Sequence, residues 1–359
     1  MAIHELSRRE FLRFGRDGAA VGAFAALAGI RFPECEKSRE VRLFTSMVQS
    51  SDAIYLVSER NELTTDESGL SWRHRLDNKS SILSMREGEN PRLVTEVSNL
   101  RSNLAPKADG GVVFASENKI LALDPSGRIT QLYELPNEII NVDKGIEGVA
   151  VSKDNKIAYV YDGKLYLVES DGVSRRLNPD RSVLDLPVWS PDGSKIAYVS
   201  YEDKNWHIEI INSDGTGMQK IGVGGSEAPA WSPDSRNLAF IGRPGGLRGL
   251  HVQFGDGRVV SGLSSRNHIF PRNPVWSPDG SLIAYTANEG LPDPKGGSGE
   301  IIGRGYVFTV DPRTGEAPKK RSPGAAELVW LADGIASIRN DEKGSSVHIE
   351  GYLYGFIQK

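Results

Sequence analysis

The chain has 359 residues, 38% of them hydrophobic and 25% charged, which is enough apolar material to bury a sizeable core. Its 43 basic and 47 acidic residues leave a formal net charge of -4, and no long basic run follows the N-terminus, which speaks against a surface that tracks nucleic-acid phosphates. A single cysteine, Cys35, rules out an internal disulfide and a structural cysteine cluster.

The first 30 residues read as an address. Ser7-Arg8-Arg9-Glu10-Phe11-Leu12-Arg13 is followed by an uncharged stretch at residues 18–30. Paired arginines, Phe-Leu and an Ala/Gly-rich apolar run resemble a twin-arginine (Tat) export signal, with Arg13 where that family often has lysine. The resemblance implies Tat export and a periplasmic or extracellular location. The apolar run is shorter than the roughly 20 residues a membrane-crossing helix needs, so a cleaved signal is expected and no transmembrane span in the mature chain. Ala26-Leu27-Ala28 and Ala23-Phe24-Ala25 both offer the small-x-small pattern of a cleavage site. An amphipathic N-terminal helix and an uncleaved tether are the alternatives. Pro33-Glu34 ahead of Cys35 lacks the small apolar residues of a lipidation site. Residues 1–40 are therefore set apart as signal and linker, and residues 41–359 as one domain.

That domain is repetitive. Trp189-Ser190-Pro191-Asp192-Gly193, Trp231-Ser232-Pro233-Asp234-Ser235 and Trp276-Ser277-Pro278-Asp279-Gly280 each lead into an apolar run ending in Tyr or Phe. Val151-Ser152-Lys153-Asp154-Asn155 is a copy with valine replacing tryptophan; residues 105–114 form a looser copy, and Trp330-Leu331-Ala332-Asp333-Gly334 another. A weak first unit begins near residue 52. The phrase suits a type I turn, because proline presets φ at its second position and glycine relaxes the fourth. Such a turn joins two antiparallel strands. A third alternating run follows, as in residues 164–168 and 206–211, then a second turn such as Asn212-Ser213-Asp214-Gly215, then a fourth strand such as residues 257–261. Four short strands per repeat of about 45 residues predict an all-β propeller of four-stranded blades. Division of the domain by that period predicts seven blades, with six as the alternative. Residues 41–46 are expected to pair with residues 347–356 and lock the ring.

The repeat resembles the TolB-type propeller family and the propeller portions of prolyl oligopeptidase-like proteins, over residues 100–340. The resemblance implies fold more than activity. The family's namesake usually carries a separate N-terminal α/β domain for which residues 41–359 leave no room, and that weakens an assignment to the Tol-Pal system.

Strand alternation places the short turns on one face and the long connections on the other. The long ones are residues 59–71, 136–145, 178–185, 262–273 and 288–303, and the face they share is the predicted working surface. Asp203, Asn205, Trp206, Arg243, Arg248, His268, Phe270, Arg272, Glu289 and Arg304 fall on it as binding candidates. The bland alternative is that each is an ordinary solvated loop residue, with Trp206 a strand residue. Asp154, Asp192, Asp234, Asp279 and Asp333 are read as turn formers, and the repeated tryptophans as packing between blades.

No Gly-x-Ser-x-Gly elbow, phosphate-binding loop, dinucleotide fingerprint or calcium loop occurs, and the six histidines show no close pairing. The expectation is therefore a non-catalytic binding scaffold without cofactor or metal, engaging a protein or glycan partner in the cell envelope. The alternative is a propeller enzyme, a polysaccharide lyase or hydrolase, whose residues converge on the central channel. Oligomeric state and ligand identity are not readable.

Overall fold

The computed structural model describes residues 39–51, 53–66, 69–74, 79–86, 89–100, 102–137, 144–178, 182–183, 187–202, 204–221, 225–243, 248–264, 268–291, 300–323, 328–331, 334–341, 344–349 and 352–354. The proposed signal, both cleavage motifs and Cys35 lie outside them. Within them the chain forms seven antiparallel sheets, each built from strands consecutive in sequence. They span residues 39–98, 105–134, 148–176, 182–221, 227–260, 268–323 and 328–354, numbered here sheets 1 to 7.

The repeated phrase folds as its chemistry requires. In sheet 4 the Gly193 N–H donates to Ser190 O at 2.8 Å, closing the turn, and Gly193 takes φ +71°, where a Cβ is strained. The Ser190 hydroxyl donates to Asp192 Oδ1 at 2.6 Å, and the same oxygen accepts the Ser194 N–H at 3.0 Å. Ser232–Asp234–Arg236 and Ser277–Asp279–Ser281 repeat this network. Asp333 lies outside the described residues.

After the turn, the second strand drives a large side chain into the core. Tyr55, Phe114, Tyr159, Tyr198, Phe240 and Tyr285 occupy one register position in sheets 1 to 6, and all are buried. Sheet 7 has buried Ser337 there. Before the turn stands the tryptophan. Its indole N–H donates to a carbonyl of the preceding sheet: Trp189 to Ala150 (3.2 Å), Trp231 to Val188 (3.2 Å), Trp276 to Ala230 (3.0 Å) and Trp330 to Val275 (3.1 Å). Each acceptor immediately precedes the residue at the tryptophan position of its own sheet. The repeat is thus a device for joining one sheet to the next.

Buried apolar clusters fill the seams between neighbouring sheets. Tyr159 and Val113 sit in the seam of sheets 2 and 3, Trp189 and Ala158 in that of sheets 3 and 4, and Phe240 and Val199 in that of sheets 4 and 5. The first strands touch in an unbroken circle: Arg39–Ser50, Ala105–Pro106, Gly148–Val151, Val188–Trp189, Glu227–Trp231, His268–Trp276, Leu328–Leu331 and back to Arg39–Ser50. This is a closed propeller with its first strands innermost.

Closure differs from the expectation. Arg39–Ser50 pairs with Ala53–Asp66 inside sheet 1, while Tyr352–Tyr354 completes sheet 7 against Gly344–Ile349. Sheet 7 supplies all four of its own strands, so among the described residues 41–46 pair within sheet 1 and not with 347–349 or 352–354. Side-chain packing closes the seam instead, with Met47, Ile54, Leu56, Leu83 and Met85 against Leu331 and Ala336.

Two segments read as loops are strands. Ala53–Asp66 and Gly69–His74 form a hairpin that extends sheet 1, and Ile283–Leu291 with Glu300–Val310 extends sheet 6. Glu59-Arg60-Asn61-Glu62 shows no apolar alternation, so the period-2 signal of a strand is missing from it.

Candidate functional site

The second-to-third-strand connections and the links between sheets emerge on one face, together with the ends of both extended hairpins. Most of the candidate residues that are described lie there in two groups.

The first group straddles sheets 4 and 5. Asn205 and Trp206 begin the strand Asn205–Asn212, which follows a tight reversal with Lys204 at φ +60°. Asn205 is exposed, whereas Trp206 is half-buried against the apolar cluster of that seam. Trp206 O accepts the N–H groups of Gly225 (3.1 Å) and Ser226 (3.2 Å), which pins the link between the sheets. A Cβ at Gly225, where φ is +73°, would stand 3.6 Å from the Arg243 stem. Asn205, Trp206 and Arg243 are therefore gathered along one seam, with Asn205 and Arg243 exposed. Asp203 lies outside the described residues.

The second group belongs to sheets 5 and 6, where two first strands kink at their loop-face ends. The ladder of Glu227–Trp231 shifts register around Ala228 (φ +51°), and that of His268–Trp276 shifts around Phe270 (φ +53°) and Asn273 (φ +51°). Register shifts of this kind re-aim side chains. The Arg248 guanidinium forms an ion pair with buried Glu227 and donates from Nε to Pro271 O at 3.0 Å, tying sheet 5 to sheet 6. His268 Nδ1 lies 2.8 Å from the Tyr285 hydroxyl, and its ring packs on Phe308 with centroids 3.8 Å apart. Burial pushes the His268 pKa below its ordinary value; Glu289 opposes that shift and Lys320 adds to it. Glu289 accepts from Lys320 Nζ at 2.7 Å, and the same ammonium lies 3.4 Å from the centre of the Tyr306 ring. Arg272 is half-buried, its carbonyl accepting from Thr286 Oγ1 at 3.3 Å. Arg304 lies on Glu300–Val310, with its side chain outside the described set.

This arrangement is built to hold shape. Arg248 straps two sheets, His268 is stacked and hydrogen-bonded, and Glu289 is matched by Lys320. Arg248 and His268, both predicted as binding candidates, are thus each held by contacts within the chain. Sequence reasoning missed Glu227, Tyr285, Tyr306, Phe308 and Lys320. One signal was available: Glu227 stands four residues before Trp231 just as Arg272 stands four before Trp276, so both mark the loop-face end of a first strand. Among the described residues no group of three or more His, Cys, Asp or Glu side chains converges to hold a metal ion, and no helix is long and apolar enough to cross a membrane.

Residues 146–294 match the TolB beta propeller domain. The matched stretch holds the three complete Trp-Ser-Pro-Asp phrases. Among curated relatives, the Tol-Pal system protein TolB of Wigglesworthia glossinidia brevipalpis is 36% identical over 86 residues, 22% of this chain and 19% of that protein. The protein of the same name from Thioalkalivibrio sulfidiphilus is 32% identical over 105 residues, 27% of this chain and 24% of that protein. The match thus spans about a fifth to a quarter of these relatives. Among solved structures, a puromycin-hydrolyzing peptidase of Mycobacterium tuberculosis aligns with TM-score 0.63 at 15% identity, over 89% of this chain and 52% of that one. An oligogalacturonate lyase of Vibrio parahaemolyticus aligns with TM-score 0.57 at 12% identity, over 87% and 97%. The propeller of the Trilobed protease from Pyrococcus furiosus, whose topology is described as open velcro, aligns with TM-score 0.56 at 13% identity, over 89% and 96%. At such identities these likenesses speak to the propeller fold alone.

Proposed function

We propose that the chain is an exported, seven-bladed, non-catalytic propeller whose long-loop face binds a protein partner in the cell envelope. The observation that carries this reading is the exposed pair Asn205 and Arg243, held on one seam by the Trp206–Gly225–Ser226 backbone contacts. A rigid scaffold that fixes exposed polar residues beside a half-buried aromatic ring suits recognition of another protein. The TolB relatives carry a Tol-Pal system name, which supports a proteinaceous partner. The charged groups around His268 are paired within the chain, which suits a scaffold better than acid–base chemistry. Seven sheets closed in a circle support the blade count.

The test is cross-linking and affinity capture from the native host. It compares the unaltered protein, the double variant Asn205→Ala/Arg243→Glu and the opposite-face variant Asp214→Ala. A specific protein recovered with the first and third but at least tenfold depleted with the second is expected. Equal recovery with all three, or capture of glycan in place of protein, contradicts the reading. Mass spectrometry of the captured chain should also find an N-terminus close after Ala28 or Ala25; an intact Met1 contradicts the cleaved signal.

A further inference from the structure

On the opposite, short-turn face a cleft of about 340 Å³ opens between sheets 2 and 3, lined among others by Val113, Leu132, Val151, Ile157 and Val168. Sheets 1, 2 and 3 lack the tryptophan, with Ser50, Pro106 and Val151 at its position, and the cleft lies beside Val151. Val151 stands where sheets 4, 5, 6 and 7 have Trp189, Trp231, Trp276 and Trp330. The register makes the correspondence explicit. Val151 pairs with Ile157 as Trp189 pairs with Ile196, and Ile157 pairs with Val168 as Ile196 pairs with Ile211. On the facing sheet, Ala105 pairs with Val113 as Ala150 pairs with Ala158. The strand register around the Trp189 indole is therefore reproduced one seam earlier, around a smaller side chain, with Val113 in the place of Ala158 and Val168 in the place of Ile211. The carbonyl of Ala105 stands where that of Ala150 accepts the Trp189 N–H. Between sheets 5 and 6, where Trp276 is in place, the remaining cleft is smaller, about 240 Å³, and bordered by Asp234, Asn237, Asp279 and Arg313.

We propose that the cleft at Val151 receives a tryptophan side chain presented by a segment of a partner protein, whose indole takes the place this seam leaves unfilled. Four other seams show what such a site accepts: a flat bicyclic ring against branched apolar walls, with its N–H on a first-strand carbonyl of the facing sheet. The rim selects a peptide carrier. Lys107, Asn155, Glu169 and Ser170 border the opening and offer donors and acceptors to a main chain. Leu132 is 38% exposed and extends the apolar wall to the surface. A buried aromatic anchor ringed by polar groups is the usual form of a peptide hot spot. This site is independent of the loop-face reading, and failure of either leaves the other standing.

The test uses the full mature chain and N-acetyl-L-tryptophanamide, with free indole and N-acetyl-L-alaninamide as comparisons, followed by ligand-detected NMR titration. Saturable binding of the tryptophan amide with Kd on the order of 1 mM is expected, several-fold tighter than indole, with the alanine amide silent. Val151→Trp should supply the missing ring from within, raising Tm by about 2 °C or more and weakening amide binding at least tenfold. Leu132→Ser, on the exposed rim, should weaken binding about threefold with Tm unchanged. Absence of saturable binding, equal affinity for the amide and indole, or unaltered binding by both variants overturns the proposal. If Val151→Trp lowers Tm, the cleft is not a vacant indole seat and the proposal falls.

Discussion

Asp279 is held down to about 2 by the Ser277 hydroxyl and by the Ser281 N–H and hydroxyl, all donating to its carboxylate. Asp234 is lowered first by the Ser232 hydroxyl; in Asp192, burial pushes upward and is outweighed by hydrogen bonds from Ser190 and Ser194. A carboxylate whose folded pKa lies below its unfolded value contributes stability that is complete above the unfolded value and is lost as pH falls through the folded one. Tm should therefore drop between about pH 4 and pH 2, and Asp279→Asn should flatten that drop; an acid profile identical to the parent's refutes the turn network as its source. His251 and His268 act in a higher window. Burial lowers both, so the unfolded chain takes up their protons first and stability should decline as pH falls below about 6.5. His251→Phe, replacing a ring stacked on Phe240 at 5.4 Å, should reduce that slope between pH 7 and 5 in thermal melts. At this scale the sequence was informative wherever turn chemistry was local: serine, aspartate and glycine at fixed offsets specify their own hydrogen bonds. It did not name the partners of Glu227 and Lys320, which are Arg248, just ahead of Gly249–Gln253, and Glu289, on a strand of the long hairpin.

Seams are the unit of stability at the next scale. Trp231→Phe keeps most of the ring but removes the donor to Val188 O, and should cost about 1 kcal/mol in urea unfolding. Leu56 is fully buried in the seam of sheets 7 and 1, which has no strand exchange to support it. Leu56→Ala should cost about 3 kcal/mol there, through lost burial and a residual cavity. A loss below about 1 kcal/mol argues that something other than this packing closes the circle. The sheets with complete Trp-Ser-Pro-Asp phrases were legible because their turns and apolar alternation agree. Sheet 1 was not: its Lys79–Met85 strand is announced by no such phrase, and its hairpin by no alternation. The expected lock between the chain's ends failed for a related reason. Residues 41–46 have strand character but say nothing of partner, and in the structure they pair with residues 57–61 of sheet 1.

For the whole molecule, period and strand count together were enough to predict a ring, since each copy covers the apolar flank of the next. The face carrying the long connections also followed from alternation. What the sequence withheld was the set of contacts those polar residues make within the chain: Arg248 with Glu227 and Pro271, and His268 with Tyr285 and Phe308. Indole N–H groups join successive sheets, and selective 15N-tryptophan labelling observes them one by one. Hydrogen exchange at pH 7 should leave four indole signals protected long after the others have vanished, assigned by Trp→Phe replacement to Trp189, Trp231, Trp276 and Trp330. Rapid exchange of those four together would contradict that role.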